Sequence, residues 1–372
     1  MKVGILKETQ KGERRVSISP KIAKKLIKKG FEVIVEKKAG EESQFKNSNY
    51  KEVGASVASL EEIFNDSDVL IKINPFTEDE INRIRKGQVL ISQMFHKSHP
   101  KLMKAIAAKE ASSFSLDALP RISRAQDMDV LSSQNNLAGY KAVIKGANEM
   151  SKIFPLMMTA AGTITPSIVL VYGVGVAGLQ AIATAKRLGA VVEATDIRPE
   201  TKEETESLGA KFIQVENNEE RSDDGYAKVA SDDYAKRQKE AVNASLYKAD
   251  LVITTAMVPG HKAPVLITEE QVMNMQNGAV IIDLAAAQGG NCELSKMNKT
   301  VIKNGVKIIG TTISPESVST NASDLFAKNI YNFIMHLTEN NQFKWDLDEE
   351  ITDKTLIVKD GIIRHNGKTE LV

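Results

Sequence analysis

The 372-residue sequence holds a single cysteine, Cys292. A lone cysteine excludes an intramolecular disulfide and a cysteine-based metal cage, and such scarcity points to a reducing compartment. The five histidines, His96, His99, His261, His336 and His365, form no H-x-x-x-H or H-E-x-x-H pair, so no metal site is expected. His96 and His99 follow a strand end, where they serve either as acid–base groups or as plain surface loop residues. No G-x-S-x-G and no Cys–His pairing is present, which leaves nucleophilic hydrolysis without support. An excess of one charge is missing as well. Lys and Arg number 49 against 48 Asp and Glu, for a formal net charge of +1. Without a single-sign block or a nucleic-acid motif, no DNA or RNA surface is expected. The sequence opens directly on the strand-like MKVGILK, with no apolar signal region or arginine-rich transit segment.

Residues 153–185 lack charge altogether and are long enough to cross a bilayer. Pro155, Gly162, Pro166 and a glycine turn interrupt them, however, and β-branched residues crowd their middle. A buried strand with its flanks is expected there, and no membrane span.

What is present centres on residues 168–196, IVLVYGVGVAGLQAIATAKRLGAVVEATD. An apolar strand, 168–172, runs into Gly173-Val174-Gly175-Val176-Ala177-Gly178, then a helix to about Leu188, a second strand and the acid Asp196. This order has the logic of a dinucleotide site. Gly173 allows the tight turn, Gly175 lets the backbone approach a pyrophosphate, and Gly178 lets helix and strand pack closely. The helix N-terminus offers unpaired N–H groups and the positive end of its dipole to the phosphates. The 23 residues from Gly173 to Asp196 are close to the roughly 20 expected before an acid that accepts the ribose hydroxyls. Asp196 favours NAD(H), because a 2′-phosphate would face a carboxylate. Arg198 is the one residue that argues for NADP(H).

The chain is long enough for two domains. The N-terminal part alternates strand-like and helix-like units, with strands at 2–6, 31–36, 68–73 and 88–94 and an edge strand at 114–116. Helices are expected at 20–29, 60–64, 78–86 and 99–111. This is a βαβ series without a glycine-rich loop, expected to form its own parallel sheet with helices on both faces. A helix running to about 153 leads into the nucleotide domain, whose further strands lie at 211–215, 251–255, 280–284 and 307–310. Residues 216–233 read as an exposed mobile loop. A helix at 321–337 returns to the first domain, and 356–358 with 361–363 form a hairpin. The expected architecture is α/β, two Rossmann-like domains with a cleft between them. One comprises 1–137 plus 312–372, the other 138–311.

One segment does not fit a plain connector. Residues 120–134 carry Arg121, Arg124, Gln126, Asp127, Asp129, Ser132, Ser133 and Gln134 beside the interdomain helix. A solvated linker explains such a composition. So does a polar wall for a dinucleotide's reactive end, which usually lies in a cleft between α/β domains.

PRISRAQDMDVLSSQNNLAGY, VYGVGVAG, ATDIRPETKE, TTAMVPGHKAPVLIT and IDLAAAQGGNCELS occur in this order after the opening KETQKGERRVSISP. With these motifs the whole chain resembles the NAD(H)-binding component of proton-translocating nicotinamide nucleotide transhydrogenase. Alanine dehydrogenase shares the fold and several of the motifs. Its substrate-binding Arg and Lys match Arg15 and Lys72 here, so these do not discriminate. Its catalytic His would fall on Phe95, with His96 one residue out of register, and its catalytic Asp on Ala287. Oxidising an amino acid needs a proton acceptor. Hydride exchange between two nicotinamides needs none, and an apolar 285–287 floor suits it.

The resemblance implies site residues. Arg121, Gln126, Asp129 and Ser132 match the family's loop around the nicotinamide and its ribose, with Gln126 orienting the dihydronicotinamide. Val174 to Val176 match the phosphate turn, and Asp196, Ile197 and Arg198 the adenosine-ribose segment. Gly225 and Tyr226 match a loop that closes over nucleotide, shorter here than the family's, and Gln238 and Met257 match further contacts. It also implies NADP(H) on a partner beta subunit, a membrane-spanning proton-conducting subunit, a homodimer, and a location at the inner face of the membrane. With no membrane helix in the chain, the expectation is the separate first subunit of a split enzyme. Two rivals remain: a stand-alone alanine dehydrogenase-like enzyme, and a non-catalytic module that senses NAD(H).

Overall fold

The computed structural model describes residues 1–215, 232–257, 261–310, 315–365 and 368–370. The chain divides into two compact units, Met1–Gln134 with Pro315–Val372, and Asn135–Ser314.

In the first unit the strand Lys2–Ile5 lies between Glu32–Glu36 and Val69–Ile71, all parallel. Ser56–Ala58 extends the sheet on one side, and Val89–Ser92 and Ser112–Ser115 extend it on the other, again in parallel. Side chains alternate across the pleat. Val3 and Ile5 enter one apolar layer with Ile22, Leu26, Phe326 and Phe333. Leu70 and Leu90 enter the opposite layer with Ile63, Phe64 and Ile106.

Helix starts follow local chemistry. Pro occupies the first turn of Pro20–Lys28, and Ser59 with Glu62 and Thr77 with Glu80 form capping boxes. The helix expected at 78–86 ends at Arg83, because Ile84 turns extended and buries its side chain. Arg85 and Gln88 then donate to the carbonyls of Phe64 and Ser67.

Two expectations for this sheet are corrected. The sheet is not wholly parallel, and Ser112–Ser115 is not its edge. Leu356–Lys359, Ile362–His365 and Lys368–Glu370 continue the sheet beyond Ser112–Ser115, each antiparallel to its neighbour. The hairpin itself was expected from its apolar runs. Asp360 (φ 47°) and Gly361 (φ 83°) supply the two positive φ angles of a turn matched to strand twist. The pairing of Leu356 with Phe114 joins residues far apart in the chain, so no local pattern announces it.

The second unit's sheet runs Lys211–Phe212, Val191–Thr195, Ile168–Tyr172, Leu251–Thr254, Val280–Asp283, Val306–Ile309 and Thr300–Lys303. All neighbours are parallel except the last pair. Thr300–Lys303 was not expected, and neither was the helix Asp232–Lys248. Of the expected loop 216–233, residues 216–231 lie outside the described residues, Gly225 and Tyr226 among them. The last two residues of that range start the new helix.

The boundary between the units falls inside the helix Val130–Glu149. Gly139 of that helix packs so closely in the second unit that an added Cβ would lie 2.1 Å from the Ala177 carbonyl oxygen.

In the uncharged stretch only Ile168–Tyr172 is the expected buried strand. Its N-terminal flank is instead an exposed hairpin, Met157–Thr159 with Gly162–Ile164, with Met158 78 % exposed. Among the described residues no helix is long and apolar enough to cross a membrane.

Candidate functional site

Within the second unit, successive connections from the centre of the sheet run to opposite sides. Ile168–Tyr172 pairs with Val191–Thr195 on one edge and Leu251–Thr254 on the other. This makes the end of Ile168–Tyr172 a topological switch point, where open α/β sheets bind ligands. The glycine turn sits there. Gly173 takes φ 88°, a left-handed conformation that only glycine adopts readily. The Thr255 hydroxyl donates to the Gly173 carbonyl at 2.9 Å and pins the turn. At Gly178 an added Cβ would lie 1.9 Å from that same carbonyl oxygen, so helix Val176–Arg187 reaches its strand only with glycine at this position. Gly175 is different, because an added Cβ there meets nothing within 4 Å. The turn is therefore open to an incoming group at Gly175 and closed at Gly178.

Asp196 completes this arrangement. Its Oδ2 accepts the Val174 backbone N–H at 2.7 Å, and its Oδ1 accepts the Arg198 backbone N–H at 2.9 Å and Nε at 3.0 Å. Arg198 also donates from Nη2 to the Val174 carbonyl at 3.2 Å. Burial opposes ionisation of Asp196. The Arg198 guanidinium and the two backbone donors outweigh it and hold the pKa below the ordinary value. Arg198 is thus an internal counter-ion of Asp196 in this structure. Ile197 between them is 98 % exposed.

The other nucleotide-unit candidates have varied settings. Gln238 accepts the Val215 N–H and donates to the Ile213 carbonyl, so both ends of its amide clasp the backbone after Lys211–Phe212. Met257 is partly exposed and follows Ala256, whose N–H and carbonyl are both held by the Asn291 amide. Asn291 also donates to the Pro264 carbonyl. Asp283 accepts N–H bonds from Ala285, Asn291 and Cys292 and fixes the turn that delivers Asn291. Sequence reasoning missed Thr255, Asp283 and Asn291. Their one signal is an Asn after paired glycines, which becomes specific only once the strands are neighbours. Of the apolar 285–287 floor, Ala285 and Ala286 are buried, whereas Ala287 is exposed.

Within the first unit, residues 120–134 are not an irregular connector. Ser123–Met128 forms a 3-10 turn, and Val130–Glu149 an α-helix. Ala125 and Met128 are buried in the apolar layer, while Gln126 and Asp127 between them are exposed. Asp129 precedes the helix and accepts from the Ser132 backbone N–H at 3.0 Å and its hydroxyl at 2.5 Å, the pattern of a helix cap. Gln126 lies on the same turn, and Arg121 is exposed just before it.

Arg15 is 7 % exposed. It donates to Glu13 through Nε and Nη2 and to the Gln134 amide oxygen through Nη1 at 2.8 Å. Lys72, 1 % exposed, donates to both Glu80 carboxylate oxygens at 2.9 Å. Both cations are internally paired. Phe95 is 40 % exposed with φ 47°.

The doubly wound sheet and its glycine turn define a Rossmann-fold protein of the NAD-dependent oxidoreductase class. The alanine dehydrogenase/PNT N-terminal domain matches residues 4–138, and the alanine dehydrogenase/PNT C-terminal domain matches residues 142–366. The chain belongs to this family, on its transhydrogenase alpha-subunit branch. It is 48 % identical to the first of the polypeptides that make up NAD(P) transhydrogenase subunit alpha in Rhodospirillum rubrum, over 99 % of each chain. It is 42 % identical to the polypeptide of the same name from Rickettsia prowazekii, over 98 % of this chain and 96 % of that one. The crystal structure of transhydrogenase from Sinorhizobium meliloti superposes with a TM-score of 0.89 at 40 % identity, covering 98 % of this chain and 100 % of that one. An L-alanine dehydrogenase structure shares the fold, with a TM-score of 0.82 at 23 % identity and 98 % and 97 % coverage.

Proposed function

We propose that this chain is the NAD(H)-binding subunit of a proton-translocating NAD(P) transhydrogenase of Re/Si specificity. It would act with a partner subunit that carries NADP(H) and a membrane subunit that conducts protons, peripheral at the inner face of the membrane. The observation that carries the reading is the open glycine turn at Gly175, beside Asp196, in a chain so similar along its length to a transhydrogenase component.

These residues suit NAD(H). The turn 173–178 leaves room for a pyrophosphate at a helix N-terminus, and Asp196 offers a carboxylate to the ribose diol. Taking the diol requires Asp196 to exchange part of its Arg198 contact. The chemistry supplied is one hydride, a proton with its electron pair, passing from C4 of NADH to C4 of NADP⁺. No proton acceptor is needed, which agrees with Phe95 and Ala287 at the positions of the alanine dehydrogenase acid–base groups. Gln126 would hold the dihydronicotinamide carboxamide, with Asp129, Ser132 and Arg121 lining its ribose. Catalysis would then rest on proximity, and positioning alone is worth several orders of magnitude in rate.

The alanine dehydrogenase reading is weaker. Arg15 and Lys72 sit buried against Glu13 and Glu80 instead of presenting charge to a substrate carboxylate. For the homodimer, the exposed apolar hairpin 157–164 supports association with a second copy, since such patches mark interaction surfaces.

Stopped-flow hydride transfer from NADH to an NADP⁺ analogue, with and without a transhydrogenase NADP(H)-binding domain, tests the function. An L-alanine plus NAD⁺ assay runs alongside. Transfer in the mixture alone is expected. Alanine-dependent NADH formation by this chain would overturn the reading, and silence in both assays would favour a non-catalytic NAD(H)-sensing module.

A further inference from the structure

The Asp127 carbonyl lies within the candidate nicotinamide loop, between Gln126 and Asp129. Two side-chain amides converge on it. Asn329 Nδ2 donates at 2.8 Å and Asn332 Nδ2 at 3.0 Å. Both asparagines belong to the helix Ser319–Leu337, and their i, i+3 spacing places them on one face. A carbonyl oxygen has two lone pairs, so two donors on one oxygen fix the plane of the 127–128 peptide.

The arrangement has a structural cost. Asn329 is 8 % exposed, and its own Oδ1 is buried without a hydrogen-bond partner among the described residues. A buried acceptor left unpaired destabilises a fold. The helix and the loop both feed one apolar layer, with Phe326, Ile330 and Phe333 from the helix and Ala125 and Met128 from the loop. A leucine would fill such a site without stranding an acceptor. The structure retains an amide that serves the Asp127 carbonyl and leaves part of itself unsatisfied.

We propose that Asn329 and Asn332 are positioning residues, a two-pronged clamp that orients the 127–128 peptide, one residue beyond Gln126, and so holds the turn that presents the Gln126 amide. This rests on the reading of residues 121–132 as the nicotinamide loop. Ala125 and Met128 anchor the turn from beneath, Asp129 is held by Ser132 beyond it, and the clamp fixes the peptide between these anchors. Neither asparagine need touch nucleotide to act.

The test compares Asn332→Ala, Asn329→Leu and their combination with the unaltered chain, each mixed with a transhydrogenase NADP(H)-binding domain. Three quantities are read: NADH affinity by fluorescence titration, stopped-flow hydride transfer, and thermal unfolding. The double variant is expected to transfer hydride about 10- to 100-fold more slowly, the penalty of misplaced reacting groups. NADH affinity and melting temperature should hold steady, and Asn332→Gln should recover part of the rate. Unchanged transfer in both single variants would overturn the clamp. So would rate, affinity and stability falling together, the pattern of a purely structural role. Should the Asn329 variants misfold, Asn332→Ala, at a half-buried position, decides by the same criteria. An unaltered chain that transfers no hydride sinks the functional reading, and the clamp with it.

Discussion

Asp196 Oδ2 accepts the backbone N–H of Val174 at 2.7 Å, so the carboxylate ending one strand is fastened to the glycine turn leaving its neighbour. The bond joins two features separated by a whole helix in sequence. It holds the acid beside the turn.

Replacing Asp196 by Ala removes this tie together with the acceptor offered to a ribose. NADH affinity should fall about 10- to 100-fold, the range for losing a hydrogen bond to a charged group, as read by isothermal calorimetry. Affinity unchanged by the substitution would exclude Asp196 from the ribose contact.

The two later glycines of the turn should separate folding from binding. Gly178→Ala places a methyl 1.9 Å from a backbone carbonyl oxygen, and overpacking of this kind costs about 1–3 kcal/mol. Gly175 has ordinary extended angles, φ −84° and ψ −167°, and open space around it. Gly175→Ala should therefore melt like the unaltered chain yet bind NADH poorly. Thermal melts paired with NADH titration check both halves, and full NADH binding by Gly175→Ala would refute the phosphate assignment.

Arg15 bridges Glu13 and Gln134 in the interior of the first unit. Arg15→Ala strands the Glu13 carboxylate, and breaking a buried pair from one side costs about 3–5 kcal/mol. Urea unfolding should show the loss. A midpoint unchanged by Arg15→Ala would leave Arg15 free for another role.

Glu349 should contribute to the acid sensitivity of the fold. Burial raises its pKa, but donation from the Thr352 N–H and from His336 at 2.8 Å overcomes this and lowers it to about 2. Arg124 Nη1 lies 3.2 Å away as an ion-pair partner. A carboxylate whose folded pKa is depressed stabilises above its unfolded value. That stabilisation is lost as pH falls from about 4.5 toward 2. Urea midpoints across this window should drop less steeply for Glu349→Gln than for the unaltered chain.

Met158, 78 % exposed on its hairpin, is the natural probe of self-association. On the proposed homodimer, with this hairpin at its interface, Met158→Asp should lower the mass seen by light scattering from that of two chains to that of one, without lowering the melting temperature. A variant that stays dimeric would move the interface elsewhere.

Local pattern and spacing determined a large part of this protein. The order strand, Gly173–Gly178, helix, strand, Asp196 is a short-range signature, because each part is specified by residues within a few positions of it. The βαβ alternation and the 356–363 hairpin are equally local. Motif order across the whole chain was enough to place it among transhydrogenase-like proteins. Tertiary structure alone decided which distant groups meet. It put the C-terminal hairpin against Ser112–Ser115 and turned that strand from an edge into an interior one. It set Thr255 and Asn291 around the nucleotide turn, and brought Asn329 and Asn332 to a carbonyl some 200 positions earlier. It also showed Arg15 and Lys72, equivocal as sequence, to be internally neutralised. Such contacts depend on strand order and helix packing. Neither leaves a periodicity in the sequence, since a hydrogen bond constrains two residue types and not the distance along the chain between them.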